Sequence, residues 1–313
     1  MYGNYIIPIS ICVLFFIIFY FYHERNNAYS LIPSRPHGTQ KSPGIIFSLH
    51  GGLGNQLFIY AAALSFQESL DVPTFLLPVD RMGNGSNIHS KRDYREIFRG
   101  VEPMKRNDTR LAGAYRFNFS DKNTVYGNFN RDELPIHTGR YIYIRNHYFQ
   151  NYECVKLVIP KVRVHLLPQL EKSYGDLQVD SRSSAFIHVR RGDFLTADNA
   201  NRLLPIEYYH QGLDILNKIS HLSSIYIISE DIDWCKNHHW NTTKKLEFFD
   251  DPDELKTLYM MSQCKAGAVL SNSTFSCWGA FLGAYDSWGT VVYPISTSFL
   301  QSVPKAWTGI NMK

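Results

Sequence analysis

The chain is short of the signatures that several common chemistries require. Its five cysteines include no C-x-x-C pair, so the spacing of a structural zinc site is missing. Its twelve histidines include no H-E-x-x-H, and His238-His239 reads as a solvated loop rather than a ligand pair. No G-x-S-x-G elbow is present, which leaves a serine hydrolase without its nucleophile turn. Charge of one sign is also scarce: 32 basic residues against 28 acidic ones give a formal +4. With no long block of lysine and arginine interleaved with aromatics, nothing argues for nucleic acid as a partner, and any acidic ligand is expected to be small. There is no repeat of fixed period and no low-complexity tract.

What is present begins at the N-terminus. Residues 5–22, "YIIPISICVLFFIIFYFY", carry no charge and would span about 27 Å as a helix, the length of a signal-anchor in a thin secretory bilayer. A cleaved signal peptide fits less well, because no basic n-region precedes the segment and no small-x-small site follows it. Orientation is weakly written, since Arg25 lies on the far side. Residues 23–43 hold Pro33, Pro36, Gly38 and Pro43, the makeup of a stem. The folded part is expected from Gly44, and its length admits two lobes, 44–164 and 165–313. Asn84, Asn107, Asn118, Asn241 and Asn272 each begin an N-x-[ST] sequon, compatible with a luminal domain. Cys12 sits in the apolar span; Cys154, Cys235, Cys264 and Cys277 follow it, and an oxidising lumen would allow them three pairings that spacing does not rank.

After the stem, "GIIFSLH" reads as a strand, "GGLG" as a turn and "NQLFIYAAALSFQESL" as a helix burying Leu57, Phe58, Ala61 and Leu64. The middle, residues 81–164, shows one clear strand, "RYIYIR", and little helical periodicity. Order returns with the strand "SAFIHV", a helix from Pro205 through "IEYYHQGLDILNKI" and the strand "SIYIIS". The stretch from "LEFFDD" to "FLGAY" then gives strand, helix, strand and helix. Such alternation predicts an α/β fold with parallel sheets and right-handed crossovers.

Three turns carry candidate chemistry. "GGLGNQ", Gly51 to Gln56, lets backbone approach a ligand before a helix N-terminus. It lacks the third glycine of a dinucleotide fingerprint and the lysine of a P-loop, and a plain tight turn is the alternative. "SNSTFS", Ser271 to Ser276, gathers hydroxyls and N–H groups where a helix opens; capping explains one hydroxyl, and four in six residues exceed what a cap needs. "HVRRGDF", His188 to Phe194, sets Arg190 and Arg191 after an apolar strand, where two guanidinium forks suit a diphosphate and Asp193 can orient one of them. A surface ion pair closing a turn at Gly192 is the alternative. Convergence on one cleft would let the three turns hold a diphosphate together. Of two D-x-D strings, Asp251-Pro252-Asp253 matches a helix start with Asp251 as N-cap and proline at N1. Asp231 and Asp233 follow a strand and suit a nucleotide's base or ribose.

In this order, "GGLGNQLF", "HVRRGDF" and "SNSTFSCWGAFL" resemble the α-1,2-fucosyltransferases of glycosyltransferase family 11, with supporting likenesses at "HYFQN", "LPIEYY" and "LYMMSQCK". Cys277 stands where that family usually has tryptophan, and Phe194 where it usually has tyrosine. The resemblance implies a GT-B-like two-lobed fold behind one N-terminal transmembrane helix, in a type II Golgi membrane protein with a luminal domain. It implies GDP-fucose as a substrate, no cofactor, no required metal, and a terminal galactoside as acceptor. It places Arg190 on the donor diphosphate with His188 and Arg191 nearby, and Gly54, Asn55, Ser273 and Thr274 around the same nucleotide. Asp193 is then the candidate proton acceptor or a partner that orients an arginine. Fucose transfer to a protein hydroxyl or core GlcNAc, and a non-catalytic membrane-anchored binder, are the competing readings.

Overall fold

Eleven strands among the described residues form two sheets whose every pairing is parallel. The computed structural model describes residues 41–79, 92–119, 131–145, 147–195, 200–286, 289–295 and 303–311. The expected anchor at 5–22, most of the stem and the sequon at Asn84 lie outside them. Among the described residues no helix is long and apolar enough to cross a membrane.

The first sheet contains β1 (Ile45–Ser48), β2 (Thr74–Leu77), β3 (Glu102–Pro103), β4 (Tyr115–Phe117) and β5 (Ile142–Ile144), in the order β3-β2-β1-β5-β4. The second contains β6 (Ser184–Val189), β7 (Ser224–Ser229), β8 (Lys245–Phe249), β9 (Gly267–Val269), β10 (Thr290–Ile295) and β11 (Thr308–Asn311), in the order β11-β10-β9-β6-β7-β8. β6 is buried along its whole length, as an apolar run covered on both faces should be.

Helices α1 (Leu53–Leu70), α2 (Thr109–Ala112), α3 (Tyr152–Val155) and α4 (Ile159–Tyr174) belong to the first half of the chain; α5 (Ile206–Asn217), α6 (Ile232–Lys236), α7 (Glu254–Gln263) and α8 (Thr274–Leu282) to the second. α1 has no polar stripe in its first fourteen residues because it is central: Leu57 through Leu64 are wholly buried, and Phe58 meets the rings of Trp278 and Phe281 on α8 at 5.2 and 6.3 Å. One apolar cluster thus takes in Ile45 and Phe47 of β1 together with Phe186 of β6 and Trp278 of α8.

Several expectations shift. α4 is hidden in the sequence by its prolines, although Ile159, Val162, Leu166 and Leu170 form a buried stripe. Pro168 lies inside the helix, and the hydrogen bond it removes belongs to the carbonyl of Val164, a residue 71% exposed, where water can replace the lost donor. β2, β3, β4, β10 and β11 are likewise additions, so the described part of the middle of the chain holds three strands where one was expected. The helix cap at "DPDEL" sits two residues later than expected. Asp253, not Asp251, accepts from the Leu255 N–H at 2.9 Å and the Lys256 N–H at 3.4 Å. Asp251 instead accepts the Asp253 N–H at 2.9 Å and the Lys256 ammonium at 2.6 Å. The four cysteines of the folded part are free thiols, all buried, so no expected pairing is realised. Burial pushes the thiols of Cys235, Cys264 and Cys277 upward, which keeps them unreactive. Asn107, Asn118 and Asn241 are exposed.

Candidate active site

In the second sheet, β6 and β9 are neighbours whose onward connections run in opposite directions, β6 to β7 and β9 to β10. Open parallel sheets bind ligands outside the strand carboxyl ends at such a point. In the first sheet, the neighbours β1 and β5 part differently: β1 runs on to β2, and the chain leaves β5 for the second sheet. The carboxyl ends of both strand pairs open onto one cavity of about 680 Å³. Residues 51–55 follow β1, and Tyr148 and Gln150 follow β5; Arg190 and Asp193 follow β6, and residues 272–275 follow β9. The three turns singled out by sequence therefore meet.

α1 starts two residues earlier than expected, so Leu53 and Gly54 are in its first turn rather than in the loop before it. Gly51 has φ +74°, a left-handed backbone that favours glycine. Gly52 caps the helix without a side-chain hydrogen bond, leaving first-turn N–H groups for an anion. Gly54 is needed for close packing, since a Cβ there would lie 2.5 Å from the Phe275 amide nitrogen and 2.7 Å from Thr274 Oγ1. The missing side chain lets the N-termini of α1 and α8 touch. Asn55 fastens that contact, its Oδ1 accepting Gln150 Nε2 at 2.8 Å and Thr274 Oγ1 at 2.9 Å. Gln56 does not line the cavity; it is fully buried, and its Nε2 donates to the carbonyls of Gly51 at 2.9 Å and Arg92 at 2.7 Å. It braces the glycine turn.

The adjacent arginines diverge. Arg190 lines the cavity, with Nε and Nη2 both directed at Asp193 Oδ1, at 3.1 and 2.6 Å, and Nη1 3.1 Å from Glu230 Oε1. Its guanidinium carbon stands 5.3 Å from the centre of the buried Phe194 ring. These contacts engage three of the five guanidinium N–H groups and leave two for a ligand. Arg191 does not line the cavity. Its Nε is 2.8 Å from Asp231 Oδ2 and its guanidinium lies 4.1 Å from the Trp234 ring centre. Asp231, which also caps α6 by accepting the Trp234 N–H at 3.3 Å, is likewise absent from the lining. The ion-pair reading of this motif thus holds for Arg191, and the cavity-facing reading for Arg190. Asp193 sits where it orients Arg190.

His188 is buried, with Nδ1 2.7 Å from Ser271 Oγ, and burial pushes its pKa down to about 4. A neutral imidazole therefore faces the cavity. The hydroxyls of "SNSTFS" all have protein partners, which explains their number without a ligand. Ser271 holds His188, Ser273 caps Phe275, Thr274 reaches Asn55 and Ser276 donates to the Ser273 carbonyl. What α8 offers the cavity is its N-terminal backbone. Asn272 lines the cavity as well, a poor place for a glycan.

Sequence reasoning passes over Arg92, Arg202, Glu230 and Asp250, all in the lining. Glu230 and Asp250 directly follow β7 and β8, so the rule that singles out Arg190 applies to them equally. The lining holds three arginines against five carboxylates, so an anion is not drawn in by net charge; it must be held by local geometry.

The model of the family described as glycosyl transferase family 11 matches residues 128–311, more than half of the chain. The chain belongs to glycosyltransferase family 11. Among curated proteins, this transferase is 23% identical over 274 residues to the O-antigen biosynthesis glycosyltransferase WbnK of Escherichia coli, covering 76% of this chain and 90% of that one. It is 28% identical over 110 residues to an Escherichia coli alpha-1,2-colitosyltransferase, covering 33% and 38% of the two chains. Among solved structures, fucosyltransferase NodZ from Bradyrhizobium aligns with a TM-score of 0.46 at 12% identity, over 78% of this chain and 94% of that one.

Proposed function

We propose that this family 11 glycosyltransferase moves L-fucose from GDP-fucose to the 2-hydroxyl of a terminal galactoside, with inversion and without a metal or other cofactor. One observation carries the reading: the N-termini of α1 and α8 and the guanidinium of Arg190 border a single cavity at the strand carboxyl ends of two parallel sheets. Helix N-termini stabilise phosphate oxygens through free N–H groups and the aligned peptide dipoles. Arg190 adds the two N–H groups its carboxylates leave over.

The acceptor hydroxyl oxygen bonds to the anomeric carbon and gives up its proton to solvent as the bond to the diphosphate oxygen breaks, and negative charge grows on the leaving group. Donors fixed where that charge develops lower the barrier. Asp193 acts by fixing the Arg190 fork. Residues 5–22 would anchor the protein in the Golgi membrane as a single-pass type II chain, with lobes 44–164 and 165–313 in the lumen arranged in GT-B fashion. The sequence likeness to an alpha-1,2-colitosyltransferase supports a colitose donor as the second reading.

The test is incubation with GDP-fucose, and separately with a colitose donor, in the presence of lactose-type acceptors, followed by determination of the new linkage. An α-1,2-fucosylated galactoside is expected. Transfer to GlcNAc or to protein, transfer of colitose alone, or GDP binding without turnover would each replace this reading.

A further inference from the structure

Of the five carboxylates that line the cavity, four are already engaged. Asp193 and Glu230 hold Arg190, and Asp251 holds Lys256 at 2.6 Å. Glu254 accepts the Tyr94 hydroxyl and lies 3.7 Å from Arg92 Nη1. Asp250 makes neither a hydrogen bond nor an ion pair with any described residue. It is also the residue immediately after β8, at the sheet's carboxyl edge.

Register fixes where it stands relative to the donor's charged end. His188 of β6 pairs with Ile228 of β7, and Ile228 with Phe249 of β8. Asp250 and Arg190 are therefore two strands apart, about 10 Å at the usual inter-strand spacing. A ribose separates a nucleobase from its diphosphate by a comparable span, so a diphosphate at Arg190 and α8 can place its base beside β8. There the half-buried Phe249 ring lines the cavity and offers a face on which a base can stack.

We propose that Asp250 reads the nucleobase, accepting both the N1–H and the 2-amino group of guanine on its two carboxylate oxygens. An ionised carboxylate only accepts, so it matches an edge with two adjacent donors. Guanine has such an edge. Adenine and cytosine set a donor beside an acceptor, and uracil sets its one donor between acceptors. The inference deepens the donor reading above and rests on it.

The test measures binding of GDP, IDP, ADP, UDP and xanthosine diphosphate to the full chain and to Asp250→Asn by calorimetry. Wild type should prefer GDP over ADP and UDP by about tenfold to a hundredfold, the discrimination typical of a two-pronged base contact, with IDP intermediate for lack of the 2-amino group. Asp250→Asn should lose GDP affinity about tenfold or more and come to prefer xanthosine diphosphate, whose 2-carbonyl accepts from the new amide. Unchanged GDP affinity in the variant, or a loss with no gain for xanthosine diphosphate, overturns the inference. If that happens while wild type still transfers fucose from GDP-fucose, the donor reading survives. Wild type that binds no nucleoside diphosphate, or binds ADP or UDP as well as GDP, removes both.

Discussion

The wall of the cavity built after the first sheet presents residues 51–55, Tyr148, Gln150 and a single charge, Arg92, whereas the wall built after the second carries Arg190, Asp193, Glu230 and Asp250. Both are crevices at strand carboxyl ends, yet one supplies mainly backbone and amides and the other mainly charge. The difference follows from how each wall is fixed. Charged groups need rigid partners to hold their direction, and β6, β7 and β8 give them adjacent strand ends with paired registers. The glycine turn can instead approach closely, because it brings no side chain that must be desolvated.

The contrast is tested most severely within the charged wall, at two neighbouring positions. Arg190→Lys should lower kcat about a hundredfold to a thousandfold, the usual cost of removing one donor from a site where transition-state charge develops, since lysine keeps the charge and loses the fork. Arg191→Lys, which disturbs an ion pair and a stacked ring outside the cavity, should cost about 1 kcal/mol of stability at most and leave kcat near wild type. Steady-state kinetics and thermal unfolding of the pair decide it. Equal kinetic losses would erase the distinction drawn between the two arginines.

Acid provides a second measure, because each half of the chain holds a buried histidine. Burial depresses the pKa of both His188 and His147 to about 4, below the unfolded value of about 6.5. Between those limits the unfolded chain binds more protons, so stability is full above pH 6.5 and falls as pH drops towards 4. Each residue should account for a loss on the order of 3 kcal/mol across that window. His188→Gln should flatten the part due to the second half, seen as a smaller acid shift in the unfolding midpoint; an unchanged acid profile would show that His188 is not buried neutral.

How much of this can be read from the chain depends on where each signal resides. The strands "SAFIHV" and "SIYIIS" appear over the same residues in the structure, because continuous apolar runs bounded by polar turns admit few alternatives. The meeting of the three turns is legible from their shared position at strand ends. What cannot be read is which way each side chain points once there. Arg190 and Arg191 are adjacent and chemically identical, and only Asp231 and Trp234, some forty residues on, turn the second away. The hydroxyls of "SNSTFS" look like surplus in the sequence because their partners, His188 and Asn55, are remote along the chain. α4 escapes notice for a local reason: Pro168 outweighs a stripe of four apolar residues, and its tolerance depends on solvent beside Val164.

The first wall can be broken through Gly54 without touching its one charged group, Arg92. A methyl group there would meet the Phe275 amide nitrogen at 2.5 Å and the Thr274 carbonyl carbon at 2.6 Å, and these are backbone atoms that cannot rotate aside. Gly54→Ala should therefore cost about 1–3 kcal/mol from overpacking and push the N-termini of α1 and α8 apart, weakening the anion site they share. Asn55→Ala, which removes only the acceptor shared by Gln150 and Thr274, should cost about 1 kcal/mol while leaving the helices in contact. The expected order in donor affinity, measured by GDP titration, is wild type, then Asn55→Ala, then Gly54→Ala. If Gly54→Ala unfolds at a lower temperature yet binds GDP as wild type does, helix contact serves the fold alone, and the charged wall holds the diphosphate without help from its neighbour.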